Sequence, residues 1–435
     1  MKNKNIKSKS TNATRPDLYL SLFLILYVLV PVITPDFGCL DSNGPKFLML
    51  AVLNLAAVTY IALRKGMKAT LQIQAGFFNT LTGLAYTTLL LISLLSVVKS
   101  VNLPESILQL SKAFTIFCSA CILILIIKKD SRHFTQIIIV LTCVLIVDCL
   151  TVFYNIIQYI DGSLPSIMEI KSVYSNKNIL ASAIFVKIPF ALWLVIYGNE
   201  KMKTPGLIAL FFAILATLLM STRAFYLGLF FLTIALAAFL VIRYVQSREK
   251  VYPVTLVKFM LVLGIAFSGY AIVQKYFYPK QHDTYNVSVT QRLATISATE
   301  GSAATRLGAW KNSLNLIREN PLLGVGTGNW KIVDVRDENR YFSSYQYMYK
   351  NHNDFLETTA ETGVFGGLAF LFIFLFTGLD FVKTLFGKKA VSNLKFLFIP
   401  AFGLLSPTFP GSRVTAKLFQ PSRAGIFLKA RGTAN

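Results

Sequence analysis

Eleven apolar blocks divide this sequence, and they constrain its fold more than any other feature. Most are about 20 residues long, the length of a helix that crosses a hydrocarbon core roughly 30 Å thick. Backbone groups inside lipid have to bond to one another, so each block is predicted to be a helix. The blocks lie at 18–34, 46–63, 75–98, 113–127, 134–160, 178–197, 205–221, 224–242, 254–273, 358–382 and 396–405.

The composition favours a membrane protein over a soluble one. Only 14% of the residues are charged and 54% are hydrophobic, whereas roughly a quarter of the residues in a soluble domain are charged. The fold class is therefore predicted to be all-α, a polytopic transmembrane helix bundle of about 11 helices. The net charge of +23 is expected to hold loops in the cytoplasm and to face anionic lipid. Membrane lipid is thus a predicted partner, and nucleic acid is not.

Basic residues mark one side of the predicted membrane. Every second connection between the blocks is rich in Lys and Arg, as at 1–17 and 243–250, and such connections stay in the cytoplasm. We therefore predict a multi-pass membrane protein whose N-terminus is cytoplasmic. Its predicted parts are a cytoplasmic basic N-terminus at 1–17, helices 1–9 at 18–273, an outer loop at 274–357 and helices 10 and 11 at 358–405.

The segment 274–357 is the one long polar stretch of the sequence, a large extracytoplasmic loop between helices 9 and 10. A loop of this length in a compact fold is usually functional. Residues 305–319 repeat apolar side chains at steps of three and four, which predicts an amphipathic helix. Asn320-Pro321 ends that helix, and a flexible turn is predicted from the glycines that follow, Gly324, Gly326 and Gly328.

Two charged residues fall inside apolar blocks, where a charge is costly and usually has a use. Asp148 lies near the middle of the fifth block and Lys187 near the middle of the sixth, so they can meet across antiparallel helices. We interpret them as a structural ion pair, with proton or ion coupling as the alternative. Four of the five cysteines lie in apolar runs and are interpreted as packing residues.

Three basic side chains are candidates for a site on the outer face. Arg223 lies at the outer end of the seventh block, where a guanidinium can bind a phosphate or carboxylate, or anchor to lipid head groups. Arg306 lies on the amphipathic helix, and His352 lies just before the chain re-enters the membrane. A histidine near neutral pH can accept a proton from a hydroxyl and activate it as a nucleophile. Taken alone, Arg306 and His352 are more typical of surface residues.

Four segments resemble motifs of the bacterial O-antigen ligase and O-antigen polymerase superfamily, which includes protein O-oligosaccharyltransferases. They span about residues 175–370 in the expected order, and the earlier part of the chain agrees only in topology. The segments are Asn-Lys-Asn-Ile-Leu-Ala at 176–181, Ser-Thr-Arg-Ala at 221–224, the stretch from Arg306 through Trp310 to the Asn-Pro and Gly-x-Gly-x-Gly elements before Trp330, and His-Asn-Asp-Phe-Leu-Glu at 352–357 with Glu-Thr-Gly-Val-Phe-Gly-Gly at 361–367.

The resemblance implies an enzyme of the cell inner membrane that moves a glycan from undecaprenyl pyrophosphate to an acceptor hydroxyl at the periplasmic face. The loop 274–357 would then be periplasmic and carry the site. The implied acceptor is the lipid A-core, as for an O-antigen ligase, or another glycan. Arg223 and Arg306 would hold the pyrophosphate and stabilise its leaving charge, and His352 would activate or orient the acceptor hydroxyl. Three further residues are implied to bind substrate: Asn178, Trp310 and Asn353. The family needs neither metal nor nucleotide, so no cofactor and no metal are expected.

Other functions remain open from the sequence. The same motifs suit a polymerase that extends a growing glycan and a protein O-oligosaccharyltransferase. A secondary transporter would tend to show internal repeats. No repeat is visible, and only Asp148 and Lys187 favour transport. A structural assembly protein without chemistry is the third class.

The C-terminal part departs from the family pattern. The family usually has two more helices after the tenth, whereas the block at 396–405 is short and is followed by Ser406-Pro407. Residues 406–435 are basic, contain no acidic residue and show no helical period long enough to span a membrane. We therefore expect this atypical tail to be the end of a truncated or frame-shifted product.

Overall fold

The computed structural model describes residues 17–35, 37–39, 43–65, 78–129, 131–170, 172–174, 177–278, 302–337 and 350–386. These residues form twelve α-helices and no strand. The helices are α1 Leu18–Ile33, α2 Gly44–Lys65, α3 Leu81–Ser96, α4 Leu103–Lys129, α5 Ser131–Ile160, α6 Lys177–Tyr197, α7 Glu200–Leu219, α8 Arg223–Ser247, α9 Val251–Tyr276, α10 Ser302–Glu319, α11 Trp330–Asp337 and α12 Asp354–Phe386.

The chain is a multi-pass membrane protein with an all-α bundle, as predicted. Nine helices in the described ranges, α2–α9 and α12, are long and apolar enough to cross a membrane, and α1 is a shorter apolar helix. α4 begins at Leu103, well before the predicted block at 113–127, because flanking polar residues continue the helix. The predicted eleventh helix at 396–405, the tail at 406–435 and the basic residues 1–16 lie outside the described residues.

α6 lies at the centre of the bundle. Of its apolar span, 78% is buried, compared with 17% for α9 and 22% for α2. Leu180, Ile184 and Ile188 are fully buried, and the main apolar core extends from α6 into α5 and α7. The apolar side chains that α2 and α9 leave uncovered suit contact with lipid chains, which are as apolar as leucine.

A buried ion pair joins α5 to α6. Lys187 Nζ lies 2.8 Å from Asp148 Oδ2, which confirms the contact expected from their positions in the sequence. The ammonium also donates to the Tyr174 hydroxyl at 3.2 Å and to the Ala183 carbonyl at 3.1 Å. All three hydrogens of the Lys187 ammonium therefore have acceptors. This supports the structural interpretation, because neither charge is left uncompensated in an apolar interior.

Several helix ends meet at one end of the bundle. The Tyr278 hydroxyl, just after α9, donates to the Leu219 carbonyl at the end of α7 at 2.8 Å. The Tyr278 ring also contacts Tyr159 near the end of α5, with 5.5 Å between centroids. Antiparallel packing brings the first residues of α6 and α8 to this end as well. Residues 302–337 and 350–353, here called the polar segment, pack at the same end, which we call the polar end.

α12 folds sharply at Gly363, so it consists of two helical arms. Gly363 has a φ of 76° and a ψ of 179°, a conformation that essentially only glycine adopts. In one straight helix, Phe355 and Phe370 would lie about 22 Å apart along the axis. Their ring centroids are instead 5.1 Å apart. The arm 354–362 therefore runs back beside the first turns of the arm 364–386.

The motif at 361–367 is the turn of this helical hairpin. Gly366 faces the side chain of Thr362, and Gly367 faces the side chain of Thr359. A Cβ atom at either glycine would collide with a threonine hydroxyl, so the missing side chains let the two arms approach closely. The glycine spacing that supported the family resemblance thus has a local structural explanation.

Replacing Gly363 by alanine is expected to destabilise the protein. A Cβ at this position would collide with the Leu322 carbonyl and would also require a φ that alanine strongly disfavours. The expected loss is on the order of 2 kcal/mol, measured by thermal unfolding of the purified chain in detergent. Gly378→Ala is the matched control on the same helix, because its Cβ would meet nothing within 4 Å. Equal thermal unfolding midpoints for Gly363→Ala and Gly378→Ala would contradict the hairpin.

Candidate functional site

The polar segment is anchored to the ends of α3 and α4 by side chains. Hydroxyl, amide and charged groups all contribute, so its position does not depend on apolar contact alone. The anchoring contacts are Thr327 Oγ1 to Ser96 Oγ at 2.9 Å, Asn329 Nδ2 to Ser106 Oγ at 2.6 Å, and Lys331 Nζ to Glu105 Oε1 at 2.8 Å.

The turn at 324–328 is tightly packed, whereas its three glycines predicted a flexible turn. Each glycine has a positive φ, between 64° and 95°. A Cβ on Gly326 would lie 2.6 Å from the Ser100 hydroxyl. The Val325 and Gly326 amides donate to the carbonyls of Ala360 and Glu361, both at 3.0 Å. Glycine is needed here for close approach to α12 and to Ser100 in the connection between α3 and α4.

A small buried core joins α10, α11 and the residues before α12. The predicted helix at 305–319 is present as α10. Trp330 is 1% exposed, and its indole Nε1 donates to Ser313 Oγ of α10 at 2.8 Å. Asn351 Nδ2 donates to the same hydroxyl at 2.8 Å. The Trp310 indole donates to the Asn351 carbonyl at 3.1 Å, so α10 is fixed directly beside the residue that precedes His352.

His352 and Arg306 act on each other at the surface of the polar segment. Both side chains are exposed, and His352 has a left-handed backbone with a φ of 59°, which is uncommon for a residue other than glycine. Partial burial lowers the pKa of His352 below its ordinary value, and the positive charge of Arg306 lowers it further, while Glu357 opposes both effects. The imidazole is therefore neutral near pH 7, the form that accepts a proton.

Trp310 and Asn353, the two predicted substrate-binding residues of this region, both have structural contacts. Trp310 is half-buried and bonds to the Asn351 carbonyl. The Asn353 side chain accepts from the amides of Phe355 and Leu356 at 3.1 and 3.3 Å. Asn353 is thus the N-cap of α12, a position where asparagine stabilises a helix end.

Arg223 is the first residue of α8 and follows a strained turn from α7. Ser221 in this turn has a φ of 53°. The Tyr278 hydroxyl bonds the Leu219 carbonyl, one of the carbonyls that the end of α7 leaves without a helical partner. These contacts hold the start of α8 at the polar end, while the Arg223 side chain lies outside the described part of the structure.

Asn178 lies in the first turn of α6, exposed at the same polar end. The structure therefore brings Arg306, Trp310, His352 and Asn353 into one local site. Arg223 and Asn178 share the polar end of the bundle with that site.

Glu357 contacts the residues around His352, although the sequence motifs assigned no function to its side chain. Its carboxylate accepts from the Asn351 amide at 3.0 Å and from Lys350 Nζ at 2.6 Å. An acidic residue in the first turn of a helix, after an asparagine N-cap, is a recognisable sequence signal for bonds back to the preceding loop.

A comparison with protein families matches residues 208–371 to the family model described as O-Antigen ligase. The match covers less than half of the chain. It contains Arg223, Arg306, Trp310, His352 and Asn353, and it begins after Asn178. No curated protein sequence matches the chain. The resemblance read from the sequence motifs is thereby confirmed over this segment.

Substitutions of Asn353 separate capping from substrate binding. Asn353→Ala removes the cap of α12 and is expected to cost about 1 kcal/mol of stability, whereas Asn353→Asp keeps an acceptor oxygen and most of that stability. Thermal unfolding in detergent measures both changes. If the side chain only caps the helix, the glycan transfer that the family resemblance implies should stay close to wild type in Asn353→Asp. A stable Asn353→Asp protein without transfer would instead point to a contact with substrate.

Proposed function

We propose that the chain moves a glycan from undecaprenyl pyrophosphate to an acceptor hydroxyl, because residues 208–371 match the O-Antigen ligase family model. The match and the membrane-spanning helices together indicate a membrane glycosyltransferase of the ligase or polymerase type. In the proposal the reaction takes place at the periplasmic face of the inner membrane, the N-terminus is cytoplasmic, and the acceptor is the lipid A-core.

The proximity of Arg306 to His352 within the matched segment carries this proposal. The guanidinium is permanently charged and its planar donors suit a diphosphate. The imidazole beside it has a lowered pKa, so it is neutral at physiological pH and is available as a base. A cation beside a base suits glycan transfer from a diphosphate, because the cation can stabilise the leaving group and the base can accept the proton of the nucleophile.

The proposed reaction is a single displacement at the anomeric carbon. The acceptor oxygen forms the new glycosidic bond while the carbon–oxygen bond to the diphosphate breaks. The acceptor proton passes to the His352 imidazole, and the electron pair of the broken bond leaves with undecaprenyl diphosphate. Arg306, with Arg223 from the start of α8, would stabilise the charge that develops on that leaving group. Asn178 and Trp310 would line the surface where the donor binds.

A glycan polymerase and a protein O-oligosaccharyltransferase use the same donor chemistry and differ in the acceptor. Deletion of the gene, followed by gel analysis of lipopolysaccharide, separates them. Uncapped core with accumulated lipid-linked glycan indicates a ligase, and core with a single repeat indicates a polymerase. Normal lipopolysaccharide with underglycosylated proteins indicates the protein transferase. The fully bonded ammonium of Lys187 supports a structural pair over the ion coupling expected of a transporter.

Alanine at Arg306 or His352 is expected to abolish transfer without reducing protein abundance. General base catalysis contributes roughly 100-fold or more to rate, so His352→Ala should lose at least that factor in a transfer assay with membranes containing the full-length chain. Arg318→Ala is the matched control, because Arg318 is also an exposed arginine on α10 but lies in its last turn. Transfer by His352→Ala at the wild-type rate would contradict the assignment of the base.

The pH dependence of transfer follows from the lowered pKa of His352. The neutral imidazole is the active form, so kcat/KM is expected to fall only when the pH drops through this pKa, which lies below the ordinary value of 6.5. The rate should therefore hold from pH 7.5 down to 6.5 and decrease on the acid side of that range. An acid limb centred above pH 6.5 would contradict a neutral His352 base.

A further inference from the structure

Glu357 makes two hydrogen bonds and one electrostatic interaction at the start of α12. One carboxylate oxygen accepts from the backbone amide of Asn351 at 3.0 Å. The other accepts from Lys350 Nζ at 2.6 Å. The negative charge of Glu357 also acts on His352, in the direction opposite to Arg306. A single carboxylate thus touches the two residues before His352 and acts on the imidazole itself.

The bond to Asn351 matters because Asn351 is fully buried. A buried backbone amide without an acceptor costs free energy comparable to a lost hydrogen bond. The Asn351 carbonyl and side-chain Nδ2 are already bonded to Trp310 and Ser313, and Glu357 adds the bond that holds the backbone amide. The next residue, His352, is held in its left-handed conformation between this fixed residue and the Asn353 cap.

The charges around the imidazole come from two helices. Arg306 acts on His352 from α10, and Glu357 acts on it from α12. Lys350 in turn interacts with the carboxylates of Glu357, Glu361 and Asp354, which complete the charged surroundings of the loop. Glu357 is only 8% exposed, so its carboxylate is well shielded from solvent screening.

We propose that Glu357 is a positioning residue for His352, which fixes the backbone of residues 350–352 and so the direction in which the imidazole faces Arg306. The inference deepens the proposed function and rests on it only for the enzymatic readout. Glu357 does not touch substrate in this role. It acts through His352, both by geometry and by the sign of its charge.

Titration of His352 tests the role directly. The chain contains three histidines, His133, His282 and His352, so the full-length protein labelled at histidine gives few NMR signals, and the His352 signal is assigned by its loss in His352→Gln. Glu357→Gln keeps an oxygen that can accept the Asn351 amide and removes the negative charge. Its His352 titration is expected to move to lower pH, and the acid limb of kcat/KM should move with it.

Two further variants separate charge from geometry. Glu357→Asp keeps the charge and shortens its reach, so it should retain more of the wild-type titration than Glu357→Gln while losing rate. Glu357→Ala loses both contributions, and misplacement of a catalytic group by about 1 Å costs roughly 100-fold in rate. Thermal unfolding in detergent is measured alongside, so that a loss of folded protein is not read as a loss of rate.

Glu105→Gln is the matched control. Glu105 is another shielded carboxylate, with an exposed fraction of 18% against 11% for the Glu357 side chain, and it also bonds a lysine, Lys331 at 2.8 Å. Its loss should lower stability without moving the His352 titration. An unchanged His352 titration in Glu357→Gln, or an equal shift in Glu105→Gln, would overturn the proposal. A shifted titration in a chain without any transfer supports the role of Glu357 and contradicts the proposed function.

Discussion

Three backbone hydrogen bonds join the glycine turn to the α12 hairpin, and the candidate site depends on them. The Val325 and Gly326 amides bond the carbonyls of Ala360 and Glu361, and the Val364 amide bonds the Pro321 carbonyl at 2.8 Å. The carbonyls near the end of the short arm would otherwise lack partners where the helix stops. Because α10 leads into this turn and His352 precedes the short arm, the same bonds fix Arg306 relative to His352.

The bundle was largely predictable from the sequence, because only helices and closed barrels can satisfy their backbone hydrogen bonds inside a bilayer. The lengths of the apolar blocks correctly predicted ten helices. The similar depths of Asp148 and Lys187 in neighbouring blocks predicted their contact. The hairpin was not predictable, because a glycine inside an apolar run is equally compatible with a straight membrane helix. The close packing of the glycine turn was not predictable for a related reason. Spacing shows that glycine is present, but not whether neighbouring atoms, such as the Ser100 hydroxyl, fill the space that it leaves.

The site residues were identified by resemblance rather than by pattern, and the structure shows why pattern alone was insufficient. Arg306 and His352 are exposed side chains on separate elements, without an apolar period or a local motif that would pair them. Their proximity depends on Trp310, Ser313 and Asn351, whose hydrogen bonds cross the buried core. Residue type predicted the chemistry of each group, while tertiary packing determined which groups meet.

The fold-back of α12 also sets the position of His352 along the long arm. The short arm contains nine residues (354–362), about 13 Å of helix at 1.5 Å per residue. Because Phe355 packs on Phe370, the residues just before it lie beside the long arm and not beyond its tip. Under the proposed function, this position beside the long arm would let the phosphate of a lipid-linked donor stay near the lipid head groups, while its water-soluble glycan would have to bend toward the bilayer.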